Sequence, residues 1–168
     1  TTKGKVKYIA NNYELVLPDR ATSIAPYAFN SEKIRKIRAE NVTVVGDFAF
    51  ERNNFENIEL PKLKEVGRNA FALNVATEDK KIRSMDLSNL EKVGVNSFWH
   101  LGLESVNVPK LTEVVENAFA NNRIKDVYAP KLKKIGNGAF GGNKIAELTA
   151  TSFPELEYVG SGAFYLNS

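Results

Sequence analysis

Residues 55–71 read FENIELPKLKEVGRNAF, and this stretch decides the fold. Its apolar side chains fall at Phe55, Ile58, Leu60, Leu63, Val66, Ala70 and Phe71, with Pro61 after the first group and Gly67 after the second. The terminal pair returns as Ala28-Phe29, Ala49-Phe50, Ala118-Phe119, Ala139-Phe140 and Ala163-Phe164, and with serine as Ser97-Phe98. Spacings between the seven phenylalanines are 21, 21, 27, 21, 21 and 24 residues. Five residues before each stands a β-branched aliphatic: Ile24, Val45, Val66, Val93, Val114, Ile135 and Val159. Gly46, Gly67, Gly94, Gly136 and Gly160 follow five of these. Eight residues before the phenylalanine comes another apolar residue: Val42, Leu63, Leu90, Leu111, Leu132 and Leu156, with only Ala21 in the first copy. Three linked columns held in register over most of a chain mark an internal repeat.

Each unit also carries a short strand pattern, in the windows 34–39, 55–60, 82–87, 103–108, 124–129 and 145–150. Positions 1, 4 and 6 are apolar, and the alternation of 4 and 6 is that of a half-buried strand. Pro18, Pro61, Pro109 and Pro130 mark strand ends, because proline cannot donate to a ladder. Three residues after the phenylalanine stands asparagine: Asn53, Asn74, Asn122, Asn143 and Asn167. This column reads as an asparagine ladder whose amides bond backbone groups at the turn into each strand. The fourth copy has Leu101 there.

One unit of 21 residues cannot bury its apolar face alone, so the units stack into a solenoid with a continuous core. Phe29, Phe50, Phe71, Phe98, Phe119, Phe140 and Phe164 are then structural. The competing reading, an aromatic binding stripe, fits their strict register with Ile and Val less well. Residues 1–168 make a single domain. In about residues 1–20, the runs Lys5–Ile9 and Tyr13–Leu17, joined through Asn11-Asn12, read as a hairpin covering the N-terminal end of the core. Residues 163–168 stop in mid-repeat, which is expected of a fragment of a longer protein. An added loop at about 75–80 is either a binding insertion or a neutral one, and Thr149–Pro154 holds three extra residues.

Composition narrows the function. A net charge of +3 with Lys and Glu interspersed gives no broad basic face for nucleic acid or an anionic membrane. No stretch approaches the ~18 apolar residues that span a bilayer. With no Cys and one His, cysteine nucleophiles, Ser-His-Asp sites and cysteine- or histidine-rich metal sites have no residues to build on. No cofactor and no metal is expected. Gly136, Gly138, Gly141 and Gly142 are explained by the repeat as turn glycines. Glu59 and Asp86, on adjacent strands, are a formal carboxylate pair, but a solenoid without a deep pocket gives no reason to raise either pKa. Asn41-Val42-Thr43 matches a glycosylation sequon by pattern alone.

The pattern apolar-x-x-Ile/Val-x-Leu-Pro-x-Leu-x-x-Ile/Val-Gly-x-x-Ala-Phe resembles the BspA-like leucine-rich repeat of bacterial surface proteins. The resemblance covers roughly residues 15–168. It implies a right-handed leucine-rich-repeat solenoid, with a parallel β-sheet on the concave face and short turns or helical segments on the convex face. It also implies a secreted or cell-surface bacterial protein, often an adhesin, its export signal lying outside this sequence. Family members with Cys near the asparagine column exist, and this chain has none.

If strand positions 1, 4 and 6 point inward, positions 3 and 5 point outward on the concave face. They place Lys36, Arg38, Asn57, Glu59, Asp86, Asn107, Asp126, Tyr128 and Glu147 there as candidate ligand-binding residues, with Ser84, Ser105 and Thr149. Tyr128 is the one aromatic among them and the candidate anchor. The bland alternative is a solvated sheet face. Trp99 and His100, the one Trp and the one His, are either an exposed contact or a local plug compensating for Leu101. The leading expectation is a non-catalytic, monomeric module binding a protein or glycan ligand. The alternatives are a structural spacer or intracellular scaffold repeat, and self-association through the C-terminal end.

Overall fold

The computed structural model describes residues 6–9, 12–74, 82–149 and 152–167. In chain order the strands are β1 (Val6–Ile9), β2 (Asn12–Val16), β3 (Ser23–Ile24), β4 (Lys36–Arg38), β5 (Val44–Val45), β6 (Asn57–Glu59) and β7 (Glu65–Val66), followed by β8 (Lys92–Val93), β9 (Ser105–Asn107), β10 (Glu113–Val114), β11 (Asp126–Tyr128), β12 (Lys134–Ile135) and β13 (Tyr158–Val159). Strands from successive repeats pair in parallel, so each repeat is one coil of a solenoid. We number the coils 1 to 7 by their phenylalanines.

The chain builds two ladders and a third line of backbone bonds. The concave ladder runs β2-β4-β6 and resumes as β9-β11. The lateral ladder runs β3-β5-β7-β8 and resumes as β10-β12-β13. On the convex side the Phe amide of one coil donates to the carbonyl before the next Phe, as from Phe50 to Ala70 at 2.8 Å and from Phe119 to Ala139 at 2.9 Å. This third line runs without interruption from Phe29 to Ala163. The convex side is therefore made of turns, and no helix occurs among the described residues. Of the two convex forms expected, turns are the one present.

The turns explain a pattern that the repeat columns alone did not reveal. Residues two before the phenylalanine (Tyr27, Phe48, Asn69, Asn96, Asn117, Gly138, Gly162) all have positive φ. So do those two after it (Ser31, Arg52, Leu73, His100, Asn121, Gly142, Leu166). The left-handed region favours Gly and Asn and penalises β-branched residues, and no β-branched residue stands at any of these positions. Two left-handed residues flanking each Ala-Phe pair reverse the chain without a helix.

Between the ladders lies the core. The Phe rings stack coil on coil, with centroids 5.4, 5.4, 5.7, 5.1, 5.6 and 5.6 Å apart from Phe29 to Phe164. Phe50, Phe71, Phe98, Phe119 and Phe140 are fully buried, whereas Phe29 and Phe164 at the two ends are only partly so. The rings are core rather than a binding stripe. Ala49, Ala70, Ala118, Ala139 and Ala163 are buried, Ala28 in the first coil is exposed, and Ser97, in the alanine column, is buried with its hydroxyl unpartnered.

The asparagine column is a ladder of bridges between coils. The Asn122 amide donates to the carbonyls of Phe98 and Phe119, each at 2.9 Å. Asn143 donates likewise to Phe119 at 3.0 Å and Phe140 at 2.9 Å, and its Oδ1 accepts from the Ile124 amide at 3.1 Å. Asn53 accepts from Ile34 and donates to Phe29 and Phe50. Coils 1 and 4 lack this asparagine, having Glu32 and Leu101 instead, and in both the next residue turns left-handed: Lys33 at φ 59° and Gly102 at φ 100°. In coil 4 this turn gathers the amides of Leu101, Gly102 and Leu103 around Asn122 Oδ1, at 3.1, 2.8 and 3.1 Å.

β1 and β2 pair antiparallel as a hairpin, and β2 starts the parallel stack on β4. At the other end two expectations fail. Leu148, an inward position of the strand pattern, is 41% exposed, and residues 145–149 form no strand. No described coil packs over them, so they have a neighbour on one side only. Val159 is exposed for the same reason. Within the three-residue insertion, Phe153 is buried and lies 6.3 Å from the Phe164 ring. The 75–80 insertion lies outside the described residues.

Candidate functional site

The concave face is set by register. β4 pairs β6 with Lys36 beside Asn57 and Arg38 beside Glu59, and β9 pairs β11 with Ser105 beside Asp126 and Asn107 beside Tyr128. The alternation buries Ile37, Ile58 and Val106 and turns their neighbours outward. Lys36 is half-buried, and Arg38, Asn57, Glu59, Asp86, Asn107, Asp126, Tyr128 and Glu147 are exposed. All nine candidates occupy the same two columns of one face, although Asp86 and Glu147 lie in segments without strand pairing.

The face is not uniform. At its N-terminal end the charges are already paired. Arg38 bonds Glu40 at 2.9 Å and lies 3.7 Å from Glu59, whose Oε1 accepts from Asn57 at 2.7 Å. The Glu40 hydrogen bond and charge, with Glu59, raise the Arg38 pKa above its ordinary value. In the middle, Asp86 accepts from the Ser88 hydroxyl at 2.6 Å and the Ser88 amide at 3.0 Å. These bonds hold its carboxyl below the usual range, the reverse of what a general acid needs. Glu59 and Asp86 are thus both engaged. At the C-terminal end Asp126, Tyr128 and Glu147 have no such partners among the described residues.

Elsewhere, charged columns alternate along the axis. Arg35 pairs Glu56, Arg83 lies 3.8 Å from Glu104, Lys64 3.6 Å from Glu91, and Lys92 3.1 Å from Glu65. Apart from the half-buried Arg35–Glu56 pair these are exposed and contribute little stability each, but they set opposite charges side by side on successive coils. A shallow lateral groove of about 550 Å³ runs over the bare backbone of Gly46, Gly67 and Gly94, between Val44 and Arg68. Trp99 is half-buried and lies 6.1 Å from the exposed His100 ring, and Ala72 and Ala120, its column neighbours one coil on either side, are buried. Among the described residues no group of three or more His, Cys, Asp or Glu is placed to hold a metal ion. No described helix is long and apolar enough to cross a membrane.

A family model for the BspA-type leucine-rich repeat region matches residues 7–125 and 74–168, in six copies. The chain belongs to the BspA-type leucine-rich-repeat family. No characterised protein matched the chain in a separate comparison. Repeat regions of this family are generally non-catalytic binding modules associated with bacterial surfaces. The solenoid supplies the scaffold for that role, and the ligand is a property of the side chains displayed on it.

Proposed function

We propose that this chain is a non-catalytic adhesion module of a bacterial cell-surface or secreted protein, binding a protein or glycan partner across its concave face. The observation that carries this reading is the outward display of nine polar or charged side chains in two columns of one face, over a core that uses every other strand position. Extended concave surfaces of this kind are how solenoids engage partners. The face offers carboxylates, amides, hydroxyls and one exposed aromatic ring, a composition suited to polar recognition rather than to catalysis.

The test is binding of the immobilised domain to a panel of extracellular-matrix proteins and glycans, beside the triple variant Glu59→Ala/Asp86→Ala/Tyr128→Ala checked for fold by circular dichroism. Saturable binding that a folded triple variant loses supports the module and its face. Binding to nothing on the panel, or binding that the variant retains in full, overturns it.

A further inference from the structure

We propose that the C-terminal half of the concave face, between β9 and residues 145–149, binds the guanidinium group of an arginine on an extended segment of a protein partner. The proposal rests on the concave-face reading above and adds the chemical class of the ligand.

Charge bookkeeping along the axis motivates it. Across most of the charged columns, a carboxylate on one coil meets a cation on the next: Glu56 with Arg35, Glu59 with Arg38, Glu104 with Arg83, Glu91 with Lys64, Glu65 with Lys92, and Glu157 with Lys133. Asp126 and Glu147 break this rule. They occupy the same column of consecutive coils, both are exposed, and neither has an ion-pair or hydrogen-bond partner among the described residues. The segments that carry them start in register, the Lys144 amide donating to the Ile124 carbonyl at 2.9 Å. Like charges at matching positions of adjacent coils repel. A cation from outside relieves that repulsion.

Tyr128 specifies which cation. It lies two residues beyond Asp126 on β11, hence on the same face, and is 60% exposed with no ring partner among the described residues. A guanidinium stacks on an aromatic face within about 6 Å of its centroid while its planar fork bonds a carboxylate. An ammonium offers only a point charge. The surrounding positions Ser105, Asn107 and Thr149 are neutral, so no cation in this half of the columns opposes entry, and the Asn107 amide and Ser105 hydroxyl suit the backbone of an extended segment. Asp126 and Tyr128 are set by the register of β11 on β9, and Glu147 lies in the adjacent segment of the next coil, which has no strand pairing.

The experiment uses a fluorescein-labelled peptide of alternating Arg and Gly, with Lys-Gly and Ser-Gly peptides of equal length, read by fluorescence anisotropy at low and high salt. The Arg-Gly peptide is expected to saturate the domain at low salt and to bind more tightly than Lys-Gly. Asp126→Asn/Glu147→Gln is expected to weaken it by about 10-fold and Tyr128→Ala by about fivefold. Glu113→Gln/Glu116→Gln, which removes two exposed carboxylates away from the concave face, should leave binding unchanged. Equal loss in the two double variants, equal binding of Arg and Lys peptides, or no saturable binding at low salt overturns the proposal. The concave-face reading fails separately: if panel ligands bind and the Glu59/Asp86/Tyr128 variant loses them while Arg-Gly does not bind, the face stands and the arginine site falls.

Discussion

The contact between coils 5 and 6 and the contact between coils 4 and 5 are built from the same columns, yet they are closed differently. Between coils 5 and 6, β10 pairs β12, Gly136 donates to the Val114 carbonyl at 2.7 Å, and Lys133 and Lys134 donate to Thr112 at 2.8 and 3.2 Å. Between coils 4 and 5 the corresponding amides of Thr112, Glu113 and Val115 have no such bonds, and β8 and β10 are not paired. The difference lies at one position. A Cβ at Gly136 would stand 2.8 Å from the Glu116 nitrogen, and at Gly94 2.5 Å from the Arg68 nitrogen. Coil 5 carries Val115 in that column, so its backbone cannot approach coil 4 as closely. A second lapse lies in the concave sheet, where residues 82–87 pair with neither β6 nor β9. What spans both lapses is the convex line of backbone bonds and the aromatic stack, whose shortest step, 5.1 Å, is Phe98 to Phe119. The ladders tolerate interruption because the core does not share it.

The largest expected effect tests that last point. Phe98→Ala, in the irregular contact, and Phe140→Ala, in a regular one, should each cost about 3–5 kcal/mol in urea unfolding. The two values should be similar. A far smaller loss at Phe98 would show that the core is interrupted where the ladder is.

The asparagines sharpen the comparison. Asn122 accepts three amides and donates to two Phe carbonyls, all buried or nearly so. Asn74 donates to Phe50 and Phe71, but its buried Oδ1 has no partner. Asn122→Ala should therefore cost about 2–4 kcal/mol and Asn74→Ala about 1–2 kcal/mol, because only the first strands buried amides. Equal costs would mean that the ladder acts through its donors alone.

The glycine column gives a reciprocal pair. Gly136→Val should open the β10–β12 ladder and cost about 2–3 kcal/mol, from overpacking and lost hydrogen bonds. Val115→Gly should let β8 and β10 pair. Its stability change is expected within about 1 kcal/mol of zero, since new bonds are offset by glycine entropy and lost apolar contact. Slowed amide exchange at Glu113 and residue 115 is the decisive readout, and unchanged exchange would remove Val115 as the cause of the gap.

Most of the architecture was legible because a solenoid repeats its constraints. Phe71, Val66 and Leu63 each announce the core, and six further copies repeat the statement. The outward columns followed from strand alternation. Three things were not legible, each for a physical reason. The left-handed turns were hidden because Tyr27, Phe48, Arg52 and Leu73 carry positive φ without being Gly or Asn, the surrounding bonds overriding preference. The ladder gap was hidden because Val115 reads as one more β-branched strand residue. At the C-terminal end, Leu148 follows the pattern, but no described coil packs over it as the pattern assumes. On the site, sequence identified the face but not its charge states. That Glu59 and Asp86 are engaged while Asp126 and Glu147 are not emerges only from the partners around them.

The smallest expected effect comes from Asp86, and it bears on how the unpaired 82–87 segment is held. Beside one backbone bond to the next coil, from the Glu104 amide to the Arg83 carbonyl at 2.8 Å, this segment ends in a local turn in which Asp86 accepts both the amide and the hydroxyl of Ser88. These bonds lower the folded carboxyl pKa below its ordinary 3.8. The sign follows: the stabilisation is fully present above the unfolded value and is lost as pH falls through the lower folded value. Ser88→Ala should thus destabilise the domain at neutral pH by less than about 1 kcal/mol, the site being largely open to solvent. The gap between wild type and variant should close as pH falls through the lowered folded value. A gap that persists at low pH would assign the effect to the turn backbone rather than to the carboxylate, and would leave the concave segment held by its packing and its one bond to Glu104.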